Sequence, residues 1–202
     1  MTEVASKLKS LGYRPQNEGA AISVDRLELE QQVGYSLPDD YWEFLATFPL
    51  TGGFDQEIAF SGIEKSPWAS EGLEFLDTLY GQCPDPMNEL LPLRRLYAQV
   101  HQMPLHLLVI GMVMGSNLVC LDLRKESYGR VFVWDHEHDT EDPRAGLYLA
   151  AASFVEFVAQ LHVAKSVLRP DLPEGVRVHT TEWMETRVAE WKKKQQLLKQ
   201  RK

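Results

Sequence analysis

The sequence predicts an α+β domain: an antiparallel β-sheet with helices packed mainly on one side, followed by a C-terminal helical extension. Three observations predict it. Apolar residues recur with helical spacing around Pro38 and again after Ser153. Between these helical stretches lie three β-rich runs separated by turn signals, Leu107–Met112, Asn117–Leu123 and Arg130–Asp135. Beyond residue 165 the charge changes sign and a second helical pattern begins, which divides the chain into a domain at 1–165 and a linker plus basic amphipathic helix at 166–202.

The chain has 202 residues, 44% of them hydrophobic and 25% charged, enough for one domain with a sizeable core. The longest mostly apolar stretch, Leu105 to Leu123, is broken by His106, Gly111, Gly115, Ser116, Asn117 and Asp122. A membrane span needs about 20 consecutive apolar residues, so no membrane is expected. Met1 to Gly12 carries Glu3, Lys7 and Lys9 and lacks the apolar core of a signal peptide. Cys83 and Cys120 do not form a Cys-x-x-Cys motif, and Cys120 sits in an apolar run that predicts a buried free thiol. A reducing cytoplasm fits these features best.

The formal net charge is −8. Residues 166–202 hold nine basic and five acidic side chains, net +4, so residues 1–165 carry net −12. An acidic body disfavours nucleic acid as a ligand, because phosphate binding needs a basic face. It suits a basic protein partner through electrostatic steering. Plain solubility explains the charge equally well.

Taken in order, the first helix is expected from about Ser23 to Val33, with Ser23 as its cap, Ile22, Leu29 and Val33 near one face, and Gly34 as its stop. A second helix starts with Pro38 in its first position, and Asp39, Asp40 and Glu43 complement its dipole. Tyr41, Phe44, Leu45 and Phe48 form its core stripe, and Gly52-Gly53 is expected to end it. Glu57–Phe60 and the residues around Ile63 read as short strands. Glu64–Met87 reads as a long excursion with a short helix at Gly72–Leu79, and Leu93–Val100 as another short helix. The three β-rich runs should form an antiparallel meander through turns at Gly115-Ser116-Asn117 and Ser127-Tyr128-Gly129. A closing helix is expected at Phe154–Val163, opened by a Ser153-x-x-Glu156 capping box. Arg169–Gly175 reads as a linker before a tail helix at Thr181–Lys202, with Met184, Val188, Trp191 and Leu198 near one face. That face could pack on the domain or dock on a second copy to make a homodimer.

Several of these stretches carry recognisable motifs. Leu29-Glu30, Gly34 and Leu37-Pro38-Asp39-Asp40-Tyr41, continued by Phe44-Leu45 and Gly52-Gly53, resemble the opening signature of the SUKH superfamily. Gly115-Ser116-Asn117 with Val119-Cys120-Leu121-Asp122, and Gly129-Arg130-Val131-Phe132-Val133-Trp134-Asp135-His136-Glu137, are similar to its hairpin and following strand. Ser153-Phe154 with Glu156-Phe157 resembles the start of its closing helix. The resemblance covers Ile22 to Val163; Glu64–Met87 departs from the pattern, and the basic tail lies beyond it. That superfamily holds bacterial toxin-immunity proteins and fungal regulators of cell-wall synthesis. The resemblance therefore implies an α+β fold and a protein-binding role. It implies no catalysis, with either a cognate toxin or an endogenous regulatory partner as the ligand.

The residues offer little for chemistry. Asp135-His136-Glu137-His138-Asp139 invites a metal reading, but strand alternation puts only His136 and His138 on one face. A further ligand would have to come from His101, His106 or His162 with no spacing to select it, so no metal and no cofactor are expected. There is no Gly-x-Ser-x-Gly and no phosphate loop, and Asp39 and Asp40 are accounted for as helix-capping charges. No catalytic residue is expected. The candidates for a partner-facing surface are Phe54, Trp68, Tyr80 and Tyr128, aromatic side chains off the helical stripes, with the acids Asp135, Glu137 and Asp139. The alternative for Trp68 and Tyr80 is that they fold back over the sheet.

Overall fold

The chain opens with a helix that the composition of its first twelve residues does not advertise. Thr2 accepts a hydrogen bond from Ala5 N–H and caps α1 (Glu3–Ser10), which buries Val4, Ala5 and Leu8. The computed structural model describes residues 2–16, 24–69, 72–83, 88–114, 117–136 and 146–164, all within one unit, Met1–Lys165. The tail helix expected at Thr181–Lys202 and its linker lie outside the described residues, as do Ser23, Glu137, His138 and Asp139.

After α1 come β1 (Tyr13–Pro15), α2 (Arg26–Val33), α3 (Asp39–Thr47), β2 (Gly52–Phe60), β3 (Glu74–Leu79) and α4 (Leu90–Val100). The chain continues through β4 (Leu107–Val113), β5 (Leu118–Asp122), β6 (Val131–Trp134), β7 (Leu147–Ala151), α5 (Phe154–Gln160) and β8 (His162–Val163). The sheet runs β1-β2-β3-β4-β5-β6-β7, with β8 also on β2, and these described strands all pair antiparallel. The expected meander is therefore present and longer than the three runs that announced it.

Register sorts the side chains onto two faces. Cys120 pairs with Phe132, and Leu118 with Trp134; Val119 pairs with Val133, and Leu121 with Val131. Tyr97 of α4 meets the Trp134 ring edge-on at 6.1 Å, so α4 covers the Trp134 face. Ile58 pairs with Leu76 and Leu76 with Val113, which carries the opposite face out to Phe60. There Phe157 of α5 packs on Phe60 at 5.0 Å, and α1 and α3 pack against α5. Helices α1, α3 and α5 thus share one face and α4 lies on the other, which matches the expected layering. Strand β5 is consequently buried along its whole length.

Several boundaries differ from the sequence expectations for physical reasons. Asp25 caps α2 by accepting from Glu28 N–H, and Gly34 ends it in the left-handed region at φ 80°. Pro38 stands at the N-cap of α3, one position before the expected one. Gly52-Gly53 belongs to β2 and does not end the helix; a Cβ on Gly52 would stand 2.5 Å from Arg14 O and 2.7 Å from the Tyr13 ring, so only glycine lets β1 lie this close. Gly72–Leu79 is not helical. Its segment Glu74–Leu79 is β3, hydrogen-bonded on both sides by β2 and β4. Ile63 lies in a bend, not a strand, and β7 arises where no strand was expected. Helix α4 begins at Leu90, one turn early, with Pro92 tolerated in its first turn. The closing helix stops at Gln160, because His162 and Val163 pair with Ala59 and Ile58 instead.

Candidate functional site

The Leu-Pro-Asp-Asp stretch is consumed by architecture. Leu37 is buried; its N–H donates to Glu30 Oε1 at 2.8 Å, and its carbonyl accepts from Arg26 Nη2 at 2.8 Å. Arg26 also pairs with Glu30 at 3.0 Å and with Asp39 Oδ1 at 2.8 Å, and its guanidinium lies 5.8 Å over the Trp42 ring. The hydrogen bond from Leu37 N–H, seconded by Arg26, holds the Glu30 carboxyl below its usual range. Asp40 reaches across the fold: its Oδ2 accepts from Val155 N–H at 3.0 Å and so caps α5, while Oδ1 accepts from Tyr41 N–H.

The β5–β6 connection is built around Asp122, which is fully buried. Its carboxylate accepts from Arg124 N–H, the Arg124 guanidinium and Ser127 Oγ, and its carbonyl accepts from Gly129 N–H. Burial pushes this carboxyl up, but the hydrogen bonds from Arg124 and Ser127 outweigh it and leave it lowered. The turn at Ser127-Tyr128-Gly129 is present, preceded by a single 3₁₀ turn at Lys125–Ser127, with Gly129 at φ 83°. A Cβ on Gly129 would lie 3.6 Å from the Pro38 ring, so the turn sits directly on the α2–α3 loop.

Where these two loops meet, Tyr35, Ser36, Leu123, Arg124, Lys125, Glu126 and Tyr128 line an open basin. Tyr128 is 45% exposed. Partial burial pushes its phenol up; Arg26 pulls the other way, and the nearby Asp39, Glu30 and Asp40 add to the rise.

A second feature lies at the opposite margin of the sequence pattern. The 61–69 loop is fastened to β7 by Ile63 N–H to Ala150 O at 3.3 Å and Glu64 N–H to Leu149 O at 2.8 Å. The Glu64 carboxylate also accepts from Leu149 N–H at 2.7 Å, so the free edge of β7 is covered. Trp68 on this loop is 65% exposed, yet its indole N–H donates to Asp135 Oδ2 at 2.9 Å. Beneath it Ser66 Oγ donates to the buried Glu74 carboxylate.

Of the sequence candidates, the structure brings Trp68 and Asp135 into contact and leaves Tyr128 on the basin. Phe54 is half-buried against Tyr13, with ring centroids 5.3 Å apart. Tyr80 is 3% exposed and donates to Met112 Sδ at 3.6 Å, so its ring is core and not surface. Glu137 and Asp139 fall outside the described residues. His136 stacks edge-on against His101 at 4.9 Å, among Tyr97 and Trp134. Among the described residues no three His, Cys, Asp or Glu side chains are grouped to hold a metal ion. Tyr35, Leu27 and Asp39 were missed as surface candidates. Only Leu27 carried a readable signal, since it lies off the buried Leu29–Val33 stripe of α2; Tyr35 follows the Gly34 stop.

The model of the SMI1 / KNR4 family (SUKH-1) matches residues 23–160, from just before α2 to the end of α5. The chain is similar to the SPbeta prophage-derived uncharacterized protein YokK of Bacillus subtilis (strain 168), at 30% identity over 171 residues. That alignment covers 79% of this chain and 85% of the relative. Among the described residues no helix is long and apolar enough to cross a membrane.

Proposed function

The chain belongs to the SMI1 / KNR4 (SUKH-1) family, and from that premise we propose that it is a non-catalytic protein-binding module that neutralises a cognate toxin. The observation that carries this reading is the family match from just before α2 to the end of α5, to a family that includes toxin-immunity proteins. The charge of that body supports it: net −12 over residues 1–165 complements a toxin with a basic substrate-binding face. A prophage-derived relative fits a role carried on a mobile element. Neutralisation proceeds by steric cover of the toxin's active site, in the cytoplasm of the producing cell, and requires neither metal nor cofactor. Trp68, held upright by Asp135, and Tyr128 are the partner-facing anchors among the described sequence candidates.

The second reading is a regulator that binds an endogenous protein, which the fungal branch of the resemblance favours. Deletion in the native host separates the two. Immunity predicts that the deletion strain is killed by toxin-bearing siblings and that the affinity-captured partner is a toxin. Unchanged survival, with only housekeeping proteins captured, would sink the immunity reading.

A further inference from the structure

We propose that residues 61–69 form a strap that opens and closes as one unit, latched by Ser66 on Glu74, and that its opening releases Trp68 and uncovers the edge of β7 together. The strap carries Trp68, but its opening does not depend on the binding reading above.

The strap leaves the end of β2 and crosses to β7, the last strand of the sheet path. Of its nine residues only Ser66 is buried. Its two large apolar side chains, Ile63 and Trp68, are 62% and 65% exposed. A loop that buries no apolar side chain has no hydrophobic anchor, so polar bonds alone decide whether it stays down.

Those bonds fall at three places. At one end Ile63 N–H donates to Ala150 O and Glu64 N–H to Leu149 O, while Leu149 N–H donates back to the Glu64 carboxylate. A side-chain carboxylate thus stands where a neighbouring strand would place a carbonyl. In the middle Ser66 Oγ donates to Glu74 and accepts from Ala69 N–H at 3.1 Å, which ties the turn of the strap to the sheet. At the other end the Trp68 indole donates to Asp135.

The middle bond is the sensitive one. Glu74 is 7% exposed, and among the described residues it has no ion-pair partner. A buried carboxylate held by one hydroxyl is costly to keep dry. Burial pushes this carboxyl up, and only the Ser66 bond opposes it. Lifting the strap lets water reach Glu74, which offsets part of the bonds given up. The same movement frees Trp68 from Asp135 and leaves the Leu149 N–H and C=O as an open strand edge. Closed, the molecule presents a fixed Trp68; open, it presents the edge of β7.

The test is amide hydrogen exchange on the 15N-labelled full chain, without a partner. The probes are the Ile63, Glu64 and Leu149 amides, with Val119 and Leu121 of β5 reporting unfolding of the whole sheet. The three probes should show protection within about threefold of one another and at least about tenfold below β5. Low urea should hardly change their exchange, because opening exposes little apolar surface, whereas exchange at β5 should rise with urea. Ser66→Ala should speed all three by a common factor of about ten. Trp68→Phe removes only the bond at the far end, yet should speed the same three amides by a common factor of about three. Ile63→Ser, which removes an exposed side chain, should leave Glu64 and Leu149 within about twofold of wild type. Unrelated rates at the three probes, exchange only at the β5 rate with its urea dependence, or a Trp68→Phe effect that fails to reach Glu64 and Leu149 would overturn the proposal. Failure to capture any partner would sink the binding reading and leave these rates as they are.

Discussion

Asp40 makes a prediction that tests whether the Leu37–Asp40 stretch is architecture or surface. Its carboxylate satisfies Val155 N–H, the second helical donor of α5, while Ser153 Oγ satisfies Glu156 N–H, the third. Two of the orphan donors at one helix end are thus served by residues 113 positions apart in sequence, Asp40 and Ser153. Replacing Asp40 by Ala removes a charged acceptor. Loss of a capping acceptor costs about 1 kcal/mol, and a hydrogen bond to a charged group about 1.5–3 kcal/mol. Both groups are half-buried, so water can partly replace the lost acceptor, and the expected cost is about 1.5 kcal/mol at the low end of that range. For a chain of this size this lowers Tm by about 3–6 °C. Asp40→Asn keeps an acceptor and should lose about half as much. The assay is urea unfolding by circular dichroism and tryptophan fluorescence, with Glu43→Ala on the exposed side of the same helix as the control. Because both residues serve one helix end, Asp40→Ala and Ser153→Ala should be non-additive by about 0.5 kcal/mol or more. If Asp40→Ala stays within about 0.5 kcal/mol of wild type, as surface substitutions do, the tertiary cap is not holding α5. The acid would then have to be reassigned to the surface.

Three further outcomes follow from buried polar groups. Tyr41 Oη lies fully buried among Phe44 and Phe154 without a hydrogen-bond partner among the described residues, so Tyr41→Phe should raise stability by about 1 kcal/mol, read as Tm; a loss of that size would mean that a trapped water serves the hydroxyl. Asp122 and Glu74 should move the pH dependence of stability in opposite senses. The Asp122 carboxyl is lowered on folding, so its contribution is present above the unfolded carboxylate range and disappears as pH falls through the folded value; Asp122→Asn should flatten that acid limb. Burial raises the Glu74 carboxyl against the opposing Ser66 hydrogen bond, so its contribution is present at low pH and disappears as pH rises through the folded value; Glu74→Gln should gain stability near neutrality. Urea titrations at a series of pH values check both, and parallel curves for wild type and variants would refute the assignments. Finally, burial and then the Asp122 charge push the Cys120 thiol up, while Cys83 is only half-buried. A thiol-reactive dye at pH 8 should label Cys83 promptly and Cys120 only at the rate of unfolding; prompt labelling of both would show that β5 opens locally.

What could be read in the sequence was whatever repeated. The Tyr41, Phe44, Leu45, Phe48 stripe and the Ser153 cap are local patterns, and the structure places both as the spacing dictates. The β4–β5–β6 meander was legible because each run is rich in apolar residues and bounded by turn residues. Strand β3 was not. Leu73, Leu76 and Leu79 recur every third residue, which imitates a helix, and the segment becomes a strand only because β2 and β4 offer ladders on both sides. Strands β7 and β8 were invisible for a related reason: each is short and is fixed by a partner distant in sequence, β6 for one and β2 for the other.

The surface was less legible than the fold, and the reason is informative. Aromatic residues off the helical stripes look alike in sequence, with folding back over the sheet the alternative for Trp68 and Tyr80; Tyr80 is buried and Phe54 is half-buried against Tyr13, while Tyr128 and Trp68 stay out. Only tertiary position separates them. The family signature does not help, because its polar groups are occupied internally: Glu30 by Leu37 N–H and Arg26, Asp40 by Val155 N–H, Asp122 by Arg124 and Ser127. Groups whose hydrogen bonds are already made inside the fold have little left with which to discriminate one partner from another. In the proposed binding role, discrimination falls to exposed side chains that the signature holds in place, Tyr128 beside the basin and Trp68 over Asp135. These can change without disturbing Leu37, Asp40 or Asp122. Under that proposal Tyr128→Ala should weaken capture of the partner while leaving the urea unfolding free energy within about 0.5 kcal/mol of wild type; unchanged capture would remove Tyr128 from the binding surface.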